Sequence, residues 1–206
     1  MKFICIGKNY LAHAKELDSD VPEEPMFFFK PDNAVPSQVG SFPYPDFSQD
    51  VHYEVELVVL IDAPVRNVTE SEASSCYSKV SVGIDFTARD LQRLQKDRGY
   101  PWEICKSFED SAPVGQWVPL DTLSKGIQDL TIELRVNGKV RQLGNTRDMV
   151  FSVNRLISHV SRYVTLDRGD VLMTGTPEGI GAVVPGDVLE AFLEQEKLLT
   201  VTVTEP

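Results

Sequence analysis

Apolar residues along this chain fall into short runs, period two or unbroken, separated by turns rich in Pro, Gly, Ser and Asp, a pattern that predicts strands rather than long helices. Met1–Ile6 has strand length, and Asn9–Leu17 (NYLAHAKEL) has helical spacing with Asn9 placed as an N-cap. A Pro-rich break at Val21–Pro25 leads to the short apolar run Met26–Phe29. Asp32 to Gln49 is rich in Pro, Ser and Asp and predicts a loop with room for a short edge strand. Tyr53–Ile61 (YEVELVVLI) carries the strongest strand signal: it is β-branched, mostly apolar, and alternates in its first half. Thr69–Tyr77 predicts a short helix, Val80–Phe86 a strand, and Thr87–Lys96 (TARDLQRLQK) a helix.

The second half continues in strands. Leu130–Val136 and Lys139–Leu143 flank Asn137-Gly138, a type I′ hairpin signal, because both central positions need positive φ and these residues tolerate it. Val150–Val160 predicts a helix. Gly-Asp-Val-Leu occurs at Gly169–Leu172 and again at Gly186–Leu189, so two strands are expected to be entered by similar tight turns. The Gly-rich TGTPEGIGAV lies between them, and Leu198–Val203 closes the chain as a strand. The sum is a β-rich mixed α/β fold with few short helices and no βαβ rhythm. With 206 residues and no linker-like segment, residues 1–206 are expected to form a single domain.

Composition narrows the partners. The formal net charge of -11 argues against nucleic acid, although a metal and a few buried basic groups can still set a local field that suits a small anion. No apolar stretch reaches the length of a membrane span, and the N-terminal apolar run is too short for a secretory signal. Cys5, Cys76 and Cys105 are odd in number and far apart, which suggests neither a disulfide framework nor a zinc site. A reduced, cytoplasmic protein is expected.

The candidate chemistry is carboxylate-centred. Glu54 and Glu56, at i and i+2, point to one face of their strand and repel unless something positive lies between them or water solvates both. Asp85 follows a second strand. It is either a third ligand or the N-cap of the TARD helix. Two glutamates and an aspartate make a hard oxygen set suited to Mg2+, Mn2+ or Ca2+, whereas zinc would call for His or Cys. His13 and Glu16 share a helical face, as either a general-base pair or a surface ion pair. His52 has the phase to share a face with Glu54, and His159 reads as structural. The SAPVG and TGTPEGIG segments are expected to border the pocket, offering backbone N–H groups to an anion.

The segments GKNYLAHAKE, PMFFFKP, HYEVELVVLI, GIDFTARDLQ, PWEICKSFEDSAPVG and TGTPEGIG, in that order from Phe3 to about Ala191, resemble the fumarylacetoacetate hydrolase superfamily. The likeness is to its small single-domain branch of acylpyruvases, oxaloacetate decarboxylases or tautomerases, and hydroxyheptadienedioate isomerases. A separate SH3-like N-terminal domain has no counterpart here. The resemblance implies that family's C-terminal-domain fold, with mixed sheets forming a β-roll, and a homodimer. It implies Glu54, Glu56 and Asp85 as ligands of Mg2+, with Mn2+ and then Ca2+ as poorer alternatives. It implies His13 and Glu16 as the water-activating pair on a lid and Lys106 as an assisting lysine. Arg89, Gln92 and Thr176 become substrate-side groups, where helix surface and turn geometry are the plainer readings. The implied activity is metal-dependent cleavage of a small acylpyruvate to pyruvate and a carboxylic acid. The alternatives are oxaloacetate decarboxylation or tautomerisation, or isomerisation of 2-hydroxyhepta-2,4-diene-1,7-dioate. A non-catalytic 2-oxo acid binder is also conceivable, but it would have no use for a water-activating pair.

Overall fold

The computed structural model describes all residues except Ser37 and Val39, so the predicted loop at those two positions lies outside the described residues. The strand Val55–Ile61 sits inside a six-stranded mixed sheet, between Val171–Met173 and Tyr77–Ile84. Phe3–Gly7, Met26–Lys30 and Val118–Pro119 complete that sheet. Alternation assigns the two faces. Leu57, Val59 and Ile61 join Val80, Val82 and Ile84 in the main core, where they meet Leu134, Leu189 and Val201 of a second sheet. That second sheet has the order Lys139–Asn145, Thr131–Val136, Val188–Leu193, Glu196–Thr204, Ser41–Pro43. Its last member is the edge strand anticipated in the long N-terminal loop. Val58 points the other way, into a smaller cluster with Phe3, Cys5, Val171 and Met173. Glu54 and Glu56 have the phase of Val58, so they lie on the face turned away from the main core.

Most predicted elements are present, with shifted ends. Tyr53–Ile61 divides into Val51–Tyr53 and Val55–Ile61, because Val51–Tyr53 leaves to form a small third sheet with Thr87–Ala88 and Gly181–Ala182. The same pairing delays the helix after Asp85, which runs Arg89–Arg98 with Ala88 at its N-cap, so Asp85 is not a cap. The predicted helix at Thr69–Tyr77 is only Glu70–Ala73, opened by a Thr69–Glu72 capping box. The helix expected at Val150–Val160 runs Val153–Ser161 and is capped by Ser152. Asn137 (φ 51°) and Gly138 (φ 74°) make the hairpin turn, and Gly169 and Gly186 take matching φ values of 89° and 95°.

The N-cap assignment of Asn9 is corrected. The helix runs Leu11–Glu16 and Tyr10 takes the cap position without a side-chain hydrogen bond. Asn9 is buried and its amide donates to the Phe151 and Thr174 carbonyls while accepting from Phe151 N–H. An amide carries donors and an acceptor, so it can satisfy several buried backbone groups where they converge, and that outweighs a cap.

Asp170, in the first Gly-Asp-Val-Leu copy, is buried and accepts from the Lys2 and Asp167 backbone amides at 2.8 and 2.7 Å, with Lys2 Nζ 2.7 Å away. Burial opposes its ionisation, but these donors outweigh it and hold its carboxyl below the usual range. A depressed folded-state pKa gives stability that is fully present above the unfolded value and is lost as pH falls through the folded one. Asp170→Ala is therefore expected to lower unfolding stability by roughly 1.5–3 kcal/mol at neutral pH, with the gap to wild type narrowing below about pH 4. Urea titrations at both pH values measure it.

Candidate active site

The third carboxylate arrives by strand pairing. Glu56 lies opposite Gly83, and Asp85 donates its backbone N–H to the Glu54 carbonyl at 2.8 Å, which sets Asp85 across from Glu54. A side chain at position 83 would collide with Val58 and Pro113, so glycine keeps that place open. Glu54, Glu56 and Asp85 are all buried, and one oxygen from each lies within 4.8 Å of the others.

Three buried carboxylates need compensation. Lys106 Nζ donates to Glu54 Oε2 at 2.8 Å and to Asp85 Oδ2 at 2.7 Å. Arg89 Nη2 donates to Glu54 Oε1 and Nη1 donates to Gln92 Oε1, which ties both sequence-predicted helix residues into the site. Lys30 Nζ, fully buried, lies 2.8 Å from Asp85 Oδ1 and donates to Ser111 Oγ at 2.9 Å. Burial opposes the charged form of Glu54, yet Lys106 and Arg89 outweigh it and hold its carboxyl well below the ordinary range. Burial also disfavours the Lys106 ammonium, and Asp85 and Glu54 more than restore it. Glu56 is different. Burial and the nearby Asp85 push its carboxyl well up, opposed by the Gly175 N–H that donates to its Oε2 at 2.7 Å. Among the described residues Glu56 forms no salt bridge, and Lys106 offsets only part of the rise. A buried carboxylate crowded by another, on an all-oxygen donor set, fits a hard divalent cation.

The helix Leu11–Glu16 covers this cluster. His13 is buried and lines the same cavity of about 30 Å³ as the three carboxylates, Arg89, Gln92, Lys106 and Thr176. Its Nδ1 is 3.2 Å from Glu16 Oε2, and Glu16 Oε1 accepts from Gly179 N–H at 3.0 Å. Gly179 has φ 93°, and a Cβ there would sit 2.2 Å from the Arg141 carbonyl oxygen. Gly179→Ala is thus expected to shift the loop, free Glu16, and cost roughly 1–3 kcal/mol of stability, with turnover falling through a disordered His13. Thermal melts beside steady-state kinetics test this.

The TGTPEGIG loop borders the cavity through Thr176, while Gly175 and Gly179 donate their N–H groups to Glu56 and Glu16. SAPVG does not. The carbonyls of Ser111 and Pro113 instead accept from Phe86 and Ile84 N–H, either side of Asp85. Its polar backbone backs the carboxylate and is spent on holding the strand end. Of the other histidines, His52 pairs with Asp50 at 2.9 Å outside the cluster, and buried His159 packs against Phe27 and Tyr163. Sequence reasoning missed Lys30 and Gln142. Lys30 stood at the end of an apolar run, where a buried lysine is rare enough to have been a signal. Gln142 gave no signal: it falls in an exposed strand and is turned inward by a register shift between Val140 and Gln142.

Residues 2–204 match the family described as fumarylacetoacetate (FAA) hydrolase C-terminal. The chain is 40% identical over 199 residues to oxaloacetate tautomerase YcgM of Escherichia coli, covering 97% of this chain and 91% of that protein. It is 37% identical over 203 residues to the human mitochondrial oxaloacetate tautomerase FAHD1, covering 98% and 91%. It superposes with a TM-score of 0.93 on fumarylpyruvate hydrolase from Pseudomonas aeruginosa in complex with Mn2+ and pyruvate, at 35% identity over 100% of this chain and 90% of that one. Among the described residues no helix is long and apolar enough to cross a membrane. With mixed sheets, few short helices and a buried carboxylate triad on one strand pair, the chain is an enzyme of the fumarylacetoacetate hydrolase family.

Proposed function

We propose that residues 1–206 act as one catalytic domain that hydrolyses a small 3-acylpyruvate, such as fumarylpyruvate, to pyruvate and a carboxylic acid. We further propose Mg2+ as its cation, Mn2+ as a substitute, a cytoplasmic location and a homodimeric assembly. The observation that carries this reading is the meeting of the carboxylate triad in one cavity with His13, which Glu16 holds through Nδ1. The relative solved with Mn2+ and pyruvate supports it.

Glu54, Glu56 and Asp85 would hold the cation, which when bound supplies Lewis-acid polarisation of the 2-oxo group. Glu16 accepts from His13 Nδ1–H and leaves Nε2 as the basic nitrogen. His13 Nε2 then takes a proton from water as its oxygen attacks the distal carbonyl. The bond between that carbonyl carbon and the methylene breaks, the electron pair passes into the pyruvate enolate, and the proton that His13 took from water is delivered to the methylene carbon, which completes pyruvate and restores neutral His13. Lys106 offers positive charge to the developing enolate, while Arg89, Gln92 and Thr176 orient the substrate. A second reading, oxaloacetate tautomerisation or decarboxylation, uses the same enolate stabilisation without attacking water and is favoured by the names of the relatives above.

The deciding experiment incubates acetylpyruvate, fumarylpyruvate and oxaloacetate with the protein, with Mg2+ and with chelator. Equimolar pyruvate and acid from an acylpyruvate, abolished by chelation, is the expected result. Faster oxaloacetate enol–keto exchange with no acylpyruvate cleavage would replace the first reading with the second.

A further inference from the structure

Gln142 is buried on a strand whose other residues in that stretch are exposed or half-buried, and it is far in sequence from every group it touches. Its Oε1 accepts from Val55 N–H at 2.8 Å, the amide between Glu54 and Glu56. Its Nε2 donates to Thr176 Oγ1 at 2.8 Å and to the Pro177 carbonyl at 2.9 Å. The orientation of this amide is not free. Val55 N–H is only a donor and so must face the amide oxygen, which leaves the NH2 group for Thr176. Thr176 Oγ1 is therefore an acceptor toward Gln142, and its hydroxyl proton must point elsewhere. The one acceptor to which the structure directs this hydroxyl among the described residues, the Pro177 carbonyl, is 3.4 Å away, long for an O–H donor, and already receives Gln142 at 2.9 Å. The cavity is the direction left, and Thr176 lines it.

We infer that Gln142 is a positioning residue that fixes the polarity of Thr176, so that its hydroxyl meets the ligand as a hydrogen-bond donor and the site selects an anionic oxygen. The relay starts at the backbone between two members of the carboxylate triad, so the strand that carries Glu54 and Glu56 also sets the far side of the substrate cradle. This rests on the 2-oxo acid reading of the site above.

The test is a double-mutant cycle on the full chain loaded with Mn2+, read by calorimetric binding of pyruvate and of oxalate, with Mn2+ affinity and thermal melts measured beside it. Gln142→Met removes the amide at nearly constant volume. Gln142→Glu, followed from about pH 7 up to about pH 10 so that even a buried carboxyl ionises, turns the donor into an acceptor that captures the Thr176 proton. Gln142→Glu is expected to weaken both ligands by about tenfold or more, Gln142→Met by less, and Mn2+ affinity to change by under about threefold. In a Thr176→Val background neither Gln142 substitution should weaken the ligands further. Equal losses in both backgrounds, or wild-type affinity in Gln142→Glu, would overturn the inference. If Gln142→Glu does not fold, the Gln142→Met arm of the cycle decides alone. Failure of the wild-type protein to bind either ligand would instead overturn the 2-oxo acid reading.

Discussion

His13→Ala is expected to lower acylpyruvate hydrolysis by roughly 10²–10⁴-fold while leaving divalent-cation affinity nearly unchanged. His13 is buried over the cavity but touches none of the three carboxylates through a hydrogen bond given by the structure; its partner is Glu16. The loss should therefore appear in kcat. Glu16→Ala is expected to give a smaller loss in the same direction, because the imidazole remains but is no longer held in one tautomer and orientation. The comparison between substrates sharpens the test. Oxaloacetate decarboxylation needs no attacking water, so it should fall less than hydrolysis. Steady-state kinetics of both variants on acetylpyruvate and oxaloacetate, beside Mg2+ titrations, measure this. Wild-type acetylpyruvate cleavage by His13→Ala would remove the general-base assignment.

Glu56→Gln should act with opposite signs on the metal-free and metal-loaded protein. Without a cation, Glu56 is a buried carboxylate pushed toward its protonated form by burial and by Asp85. A glutamine keeps the acceptor for Gly175 N–H and removes the like-charge repulsion, so the metal-free variant is expected to melt higher by about 2–4 °C for each kcal/mol gained. With the cation, the order reverses. Ligand that binds only the native state stabilises by about 2.7 kcal/mol at 100 times its Kd, and the variant should lose most of that gain. Its cation affinity is expected to drop by more than the roughly 10–100-fold typical of a supporting residue, and turnover with it. Thermal melts with chelator and across a Mg2+ series test both halves. A variant that melts lower than wild type in chelator and still gains stability from Mg2+ would show that Glu56 is not a ligand.

Several features of the site are legible in local sequence because their physics is local. A strand has a period of two, so Glu54 and Glu56 share a face whatever surrounds them. A short helix has neighbours three apart, so His13 and Glu16 meet. Asn137-Gly138 makes its turn because its backbone preferences do not depend on the rest of the chain. The motif order from GKNY to TGTPEGIG pointed to the family, and residues 2–204 belong to it. Local reasoning failed where a residue's partners are remote. Asn9 has the composition of an N-cap, but convergence of Phe151 and Thr174 gave its amide better-matched groups to satisfy. For Asp85 local spacing left third ligand and N-cap both open, and the register that places it across from Glu54 decided for the triad. Lys30 is buried against it, and Gln142 turns inward at a register shift that no propensity marks. The sequence by itself determined which side of the regular elements a residue occupies, because that follows from backbone period wherever no bulge interrupts it. Which remote side chains share a cavity was decided only by the tertiary structure, because register and burial are set by how the sheets pack and not by any one strand.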